Sequence, residues 1–163
     1  FTTFRGGFPL PIKMRLVIQR VSAATVKIED NLVDSIGNGL LVLLGIECDD
    51  DKTDVIWLVK KLLNMRIFND TDGVMNRCLL QEAGDLLVIS QFTLMASTKK
   101  GNRPSYIRAA NHETAIPLYE YFLAMAEKGL GKQVSKGVFG ADMKVSMVND
   151  GPVTIFIDSK KRE

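Results

Sequence analysis

Asp85-Leu-Leu-Val-Ile-Ser-Gln-Phe-Thr-Leu94 sets four bulky apolar residues, two of them β-branched, ahead of a short polar signature. A run without alternation predicts a strand buried on both faces, because a strand with one wet side alternates apolar and polar residues. Ser90, Gln91 and Thr93 fall where this strand leaves the core, and a rigid strand end is a common support for chemistry. A hydroxyl there also has a plainer use, since it bonds nearby backbone or caps a turn. The rest of the chain has to decide between the two.

The 163 residues suit one domain with one substantial core. A composition of 46% hydrophobic and 25% charged residues excludes the disordered and membrane classes. A net charge of +2 is too small to attract nucleic acid in bulk, so any RNA contact must be local. Cys48 and Cys78 make no disulfide framework, which points to a reducing, cytoplasmic compartment. No apolar run approaches the roughly 18 residues of a membrane span. Residues 1–13 lack a signal-peptide pattern, whereas Met14 opens a strand pattern at once. They are expected to be an N-terminal appendage, with 14–163 as a single domain.

From Met14 to Ile28 the alternation of Leu16, Ile18 and Arg20 against Val17, Gln19 and Val21 predicts a strand, with a bend or bulge at Ser22-Ala23-Ala24. Glu29-Asp30-Asn31 turns the chain and Leu32 to Ile36 returns. Gly37-Asn38-Gly39 is expected to supply positive-φ turn positions before a buried strand from Leu40 to Ile46. The opening is an antiparallel meander. On spacing alone Arg20 reads as a solvated strand residue. The five carboxylates between Glu47 and Asp54 invite a metal, but acidic residues ahead of a helix interact with its dipole, and Val55, Val59, Leu62, Leu63 and Arg66 repeat at helical spacing. Asn69 to Gly73 resembles half a calcium loop but lacks the closing acid, because position 80 is Leu80. It reads as a turn, followed by an irregular piece from Met75 to Gln81.

Met95 to Tyr106 has no periodicity and carries Lys99, Lys100 and Arg103, which would suit phosphates or simply be solvated. A second helix is expected from about Thr114 to Lys128, burying Ile116, Tyr119, Phe122, Leu123 and Ala126 and closing at Gly129 and Gly131. Pro117 argues for an N-cap near Thr114, where a missing amide costs nothing. His112, the one histidine, reads as a cap or surface residue. Short strands follow at Gln133 to Gly137 and Met143 to Val148. Asn149-Asp-Gly-Pro-Val-Thr154 then interrupts the run into Ile155 to Ile157, most simply as a hairpin turn. The class is α+β, with a mostly antiparallel sheet and two main helices.

Together, Ser90-Gln-Phe-Thr-Leu94, Asn149-Asp-Gly-Pro-Val-Thr154, Met14-Arg-Leu-Val-Ile-Gln-Arg-Val21 and Arg103-Pro-Ser105 resemble the D-aminoacyl-tRNA deacylases, in order and spacing from Met14 to about Asp158. The resemblance implies that family's barrel-like fold and a homodimer with its active site at the subunit interface. It implies hydrolysis of the ester between tRNA and a D-amino acid or glycine. It also implies a cis Gly151-Pro152 reaching the partner's pocket beside Phe92 and Thr93, a wall that an L side chain must strike. Ser90, Gln91, Asn149, Gly151, Pro152 and Arg20 would then contact substrate, and Lys99, Lys100 and Arg103 the tRNA phosphates.

Ester cleavage needs an attacking water, an oxyanion site and positioning. Thr93 as nucleophile would need a base within reach, and one histidine offers no evident triad. The cysteines and histidine form no ligand cluster, so neither a metal nor a cofactor is expected. That leaves backbone amides around Phe92 and Thr93 as oxyanion donors, assisted by the substrate's 2′-hydroxyl. Two rivals remain open: a hydrolase with a covalent Thr93 ester, and a non-catalytic RNA-binding module, which the lack of paired exposed aromatics disfavours.

Overall fold

The computed structural model describes residues 14–163, so the expected appendage lies outside the described residues. Strands β1 (Arg15–Ile28), β2 (Asn31–Ile36) and β3 (Gly39–Gly45) form the antiparallel meander. β1 is long enough to carry β3 along residues 15–21 and β2 along 24–28 of one edge, while β8 (Lys144–Asp158) runs antiparallel along its other edge. Its register with β8 shifts at Val21/Ala23, within the interruption expected at Ser22 to Ala24. Leu16 and Ile18 face one core and Val21 the other; the extra residue keeps Ala24 and Val26 on the side of Val21 although their parity has changed.

β6 (Asp85–Ser90) lies parallel to β3, and β7 (Ser135–Lys136) parallel to β6. The sheet is therefore mixed, because a parallel neighbour demands a crossover and residues 46–84 supply one. Lys136 N donates to Asp34 Oδ2 at 3.0 Å, drawing β7 toward β2 and curling the sheet into a nearly closed barrel. Leu87 and Ile89 point into that barrel with Val21, Val26 and Leu41. Leu86 and Val88 point the other way, into the core covered by α1 (Lys52–Asn64) and α3 (His112–Leu130). The strand from Leu86 to Ile89 is thus buried on both faces, each side chain contributing about 1.5–3 kcal/mol.

Several local expectations change. Asp51 is the N-cap of α1 and forms a capping box with Asp54, so the acidic run acts through specific bonds to the first-turn amides. The helix ends at Asn64, leaving Arg66 outside it. The stretch from Met75 to Gln81 is ordered: β5 (Met75–Arg77) pairs with β4 (Phe68–Asn69), and α2 (Leu79–Glu82) adds one helical turn. α3 is capped by Asn111, whose Oδ1 accepts from Thr114 N at 3.0 Å, and starts ahead of the expected position. Pro117 therefore sits in its second turn; Pro117 and Glu113 are exposed, and water can serve the carbonyl that the proline leaves without a donor. Ile116 is 39% exposed, and Ala115 and Leu118 take the core face instead.

The hexapeptide from Asn149 to Thr154 does not reverse the chain. Gln19 pairs with Thr154 and Val21 with Asn149, so Asp150, Gly151, Pro152 and Val153 stand opposite Arg20 alone. It is a wide bulge within one continuous strand. Among the described residues, no helix is long and apolar enough to cross a membrane.

Gly37 and Gly39 do not hold positive φ; Glu29 and Asp30 do, in the β1–β2 turn. What Gly39 provides is room, since a Cβ there would overlap the Asp85 backbone where β3 meets β6. Gly39→Ala is expected to destabilise the fold by about 2–3 kcal/mol. Gly37→Ala, where the nearest atom stands at 4.0 Å, should cost under about 0.5 kcal/mol. Denaturant unfolding of the two variants measures the difference.

Candidate active site

A cavity of about 590 Å³ opens where β6 ends, with Ser90, Gln91 and Phe92 along one side and Tyr106, His112 and Phe139 among its other walls. The size is that of a small-molecule site. Tyr119 Oη donates to Val88 O at 3.0 Å, and Gln91 N donates to Leu44 O at 2.8 Å, so the strand end is pinned from α3 and from β3. The chain then tightens into a 3-10 turn over Phe92–Met95, with Leu94 N bonded to Gln91 O and Ala96 N to Thr93 O. Such a turn leaves its first amides, those of Phe92 and Thr93, without an internal acceptor.

Thr93 is not a cavity-lining residue, and its Oγ1 accepts a hydrogen bond from Gln91 Nε2. No hydrogen bond joins it to His112 or to a carboxylate among the described residues. Phe92 is more than half exposed and meets Tyr106 edge-on at 5.1 Å. His112 is the first residue of α3 rather than its cap, and stands edge-on to Phe139 at the cavity. Among the described residues, no three His, Cys, Asp or Glu side chains group closely enough to hold a metal.

The second motif is organised by Arg20, which is buried rather than solvated. Its Nη1 donates to Ile67 O at 2.8 Å and its Nε to Asp150 O at 3.1 Å, with the Asp150 carboxylate at 3.6 Å. Thr154 Oγ1 donates to Gln19 Oε1 at 2.8 Å across the mouth of the bulge. With its amide turned to face acceptors, Asn149 donates to Arg20 O at 3.0 Å and Val153 O at 3.3 Å. Gly151, at φ 122°, holds a backbone conformation that L side chains rarely adopt, and a Cβ there would come within 2.8 Å of Arg20 Nη2. The Gly151–Pro152 peptide is cis, as the family resemblance implies, and both residues are exposed.

The two motifs do not meet within one chain. Ser90 aligns with Leu44, Leu16 and Ile157, whereas Arg20 aligns with Leu40 and Leu86. Three strand spacings and four residues separate the corner from the Ser90 side of the cavity, on the order of 20 Å along the sheet, and Val145, where β8 itself reaches the cavity, stands six residues before Gly151. Neither Gly151 nor Pro152 lines the cavity.

Lys99, Lys100 and Arg103 are exposed on a loop cinched by paired bonds between Ser97 and Ser105, both at 2.9 Å. None of the three forms an ion pair among the described residues. The loop returns to the cavity at Tyr106.

Sequence reasoning did not find the wall made by residues 109–112 and 139–143, nor the bracing role of Gln19. It also missed a buried acidic cluster behind that wall. Glu47, Asp50 and Asp54 are all buried; Glu47 pairs with Arg108 at 3.6 Å and Asp54 with Lys160 at 3.7 Å. Asp50 Oδ2 accepts from Glu47 N at 2.6 Å, while its Oδ1 has no hydrogen-bond partner among the described residues. Burial pushes the Asp50 carboxyl up to about 7; the Glu47 amide opposes this, and Asp54 and Glu47 reinforce it.

The family model described as D-Tyr-tRNA(Tyr) deacylase matches residues 17–158. A D-aminoacyl-tRNA deacylase of Bacteroides thetaiotaomicron is 57% identical over 150 residues, covering 92% of this chain and all of that protein. One of Azobacteroides pseudotrichonymphae is 59% identical over the same length and coverage. Among solved structures, the c-Myc DNA unwinding element binding protein is 36% identical, with a TM-score of 0.83 over 88% of this chain and 97% of that one. A structure described as a probable eukaryotic D-amino acid tRNA deacylase shares the fold at 18% identity, with a TM-score of 0.79 over 90% of this chain and all of that one.

Asp50 generates a signed prediction. Its folded form holds a proton that the unfolded chain releases above about pH 4. Its effect on stability is therefore most favourable below pH 4, declines as pH rises to about 7, and is level beyond. Relative to wild type, Asp50→Asn should gain on the order of 2–4 kcal/mol in unfolding free energy between pH 4 and pH 8. Urea midpoints across that range measure it; parallel curves for the two proteins would refute it.

Proposed function

The chain belongs to the D-Tyr-tRNA(Tyr) deacylase family, and from that premise we infer that it hydrolyses the ester between a D-amino acid and the 3′ end of tRNA, releasing both. The observation that carries the reading is the end of β6 itself, where Ser90, Gln91 and Phe92 line a cavity and a 3-10 turn follows, whose first amides have no acceptor within the turn. An aminoacyl ester is already activated, so a water held against its carbonyl needs chiefly a site for the developing oxyanion. The amides of Phe92 and Thr93 serve as those donors. Water adds to the carbonyl with help from the 2′-hydroxyl of the terminal ribose, and the 3′-oxygen leaves with a proton. Thr93 Oγ1 accepts from Gln91 Nε2, and no hydrogen bond joins it to a base among the described residues, which argues against a covalent threonyl ester.

The active unit is a homodimer. β8 presents a 15-residue strand whose outer edge no other strand covers among the described residues, and Val145, Met147, Val148 and Phe156 are exposed along the strand. A long apolar edge of this kind calls for a partner. In a two-fold pairing each chain lends its Gly151–Pro152 corner to the other's cavity, which its own corner does not reach. The corner, braced by Arg20, Gln19 and Asn149, excludes an L side chain by contact and spares D-aminoacyl and glycyl esters. Lys99, Lys100 and Arg103 lie on the loop leading to the rim and take tRNA phosphates.

Matched D- and L-aminoacyl-tRNA test the central reading: the D form should be cleaved and the L form spared. Thr93→Ala should lower the rate by about tenfold or less, while a 2′-deoxy terminal ribose should lower it by about a hundredfold or more. A dead Thr93→Ala enzyme that cleaves the deoxy substrate normally would overturn the substrate-assisted route. Neutralising Lys99, Lys100 and Arg103 together should flatten the salt dependence of tRNA binding by about two to three log–log units; an unchanged slope would remove them from the tRNA surface.

A further inference from the structure

Behind the cavity wall, the link from β3 to α1 is stitched to residues 108–110. Cys48 N donates to Arg108 O at 3.3 Å and Ala110 N to Ile46 O at 3.0 Å, and Glu47 pairs with Ala109 in an antiparallel bridge. Ala109, Ala110, Asn111 and His112 then line the cavity. The link is folded over Asp50, whose side chain accepts from Glu47 N and whose own amide donates back to Glu47 O at 3.2 Å. The wall's position therefore depends on a turn closed by one buried carboxyl group.

The charges around that group are unequally matched. Glu47 faces Arg108, and Asp54 faces Lys160 and accepts from Ser159 Oγ at 2.8 Å. Asp51 is committed to capping α1. Asp50 forms no ion pair of its own among the described residues and feels only the weaker pull of the Lys160 that pairs with Asp54, and its Oδ1 is buried without a hydrogen-bond partner among them, which suits a carboxylic acid and is costly for a carboxylate. We propose that Asp50 is a positioning residue, which in its protonated form holds the link from β3 closed and seats the cavity wall of residues 109–112 for substrate. Loss of the proton places a third negative charge among Glu47 and Asp54; opening the turn to water relieves it and loosens the wall. Binding weakens as a result, while the strand end that performs the chemistry is untouched. The direction of the Asp50 titration agrees with this arrangement.

The test has two arms. Amide hydrogen exchange on the wild-type dimer, corrected for intrinsic base catalysis, should show protection at Cys48 and Ala110 falling about fivefold or more between pH 6 and pH 8.5. In Asp50→Asn it should stay level. This arm needs no substrate and survives if the deacylase reading fails. The kinetic arm rests on that reading: with D-aminoacyl-tRNA and the spontaneous rate subtracted, KM should rise severalfold over the same range at steady kcat, and Asp50→Asn should abolish the rise. His112→Gln separates any contribution of the imidazole lining the cavity. Level protection in the wild-type protein overturns the proposal even if the variant fails to fold. Falling protection with an unchanged KM confines Asp50 to stability and overturns its role at the cavity.

Discussion

A guanidinium buried beneath a sheet has to find acceptors for its donors, and in this chain the Ile67 and Asp150 carbonyls provide them. Leaving such a charge unsatisfied costs several kcal/mol, so the two carbonyls are held wherever Arg20 is held. Arg20 is itself fixed by its place in β1, between β3 and β8. A four-residue bulge opposite a single residue would otherwise be among the looser parts of a strand. Here its base is tied to the centre of the fold, and the exposed Gly151–Pro152 corner inherits that stiffness.

The cavity is built on the same economy. One side is the end of a strand with both faces packed, where Ser90 and Gln91 are followed by the first amides of a 3-10 turn. A backbone amide cannot change rotamer, so its direction is as well defined as the turn that carries it. In the proposed reaction, stereochemical choice and chemistry would fall to two rigid main-chain features rather than to mobile charged side chains.

The parts legible in the sequence were those with a local physical cause. Leu86 to Ile89 declared a doubly buried strand because no alternation was left in it, and the β1 alternation declared its bulge. The polar end of β6 was equally plain. Most misplaced features depended on distant partners. Arg20 looked solvated because nothing near it in sequence shows that Ile67 and Asp150 close over it. Gly39 looked like a turn residue, yet its need arises from Asp85, 46 positions away. Pro117 argued for a late helix start, and Asn111 was the stronger cap. The bulge from Asn149 to Thr154 looked like a hairpin because only the register with β1 reveals that the strand continues. The acidic stretch before α1 was judged by its nearness to a helix, while the burial of Asp50 comes from the tertiary stitching around it.

The ladder between β1 and β8 joins the first described strand to the last, with Met14 N on Ser159 Oγ and Ser159 N on Met14 O closing it. During synthesis β1 and the meander emerge early, but one edge of β1 stays bare until residue 158 has been translated. Closure over so long a loop is slow and entropically costly. The chain therefore passes through a period when one edge of β1 is open, and any chain that stops before β8 keeps that edge unpaired.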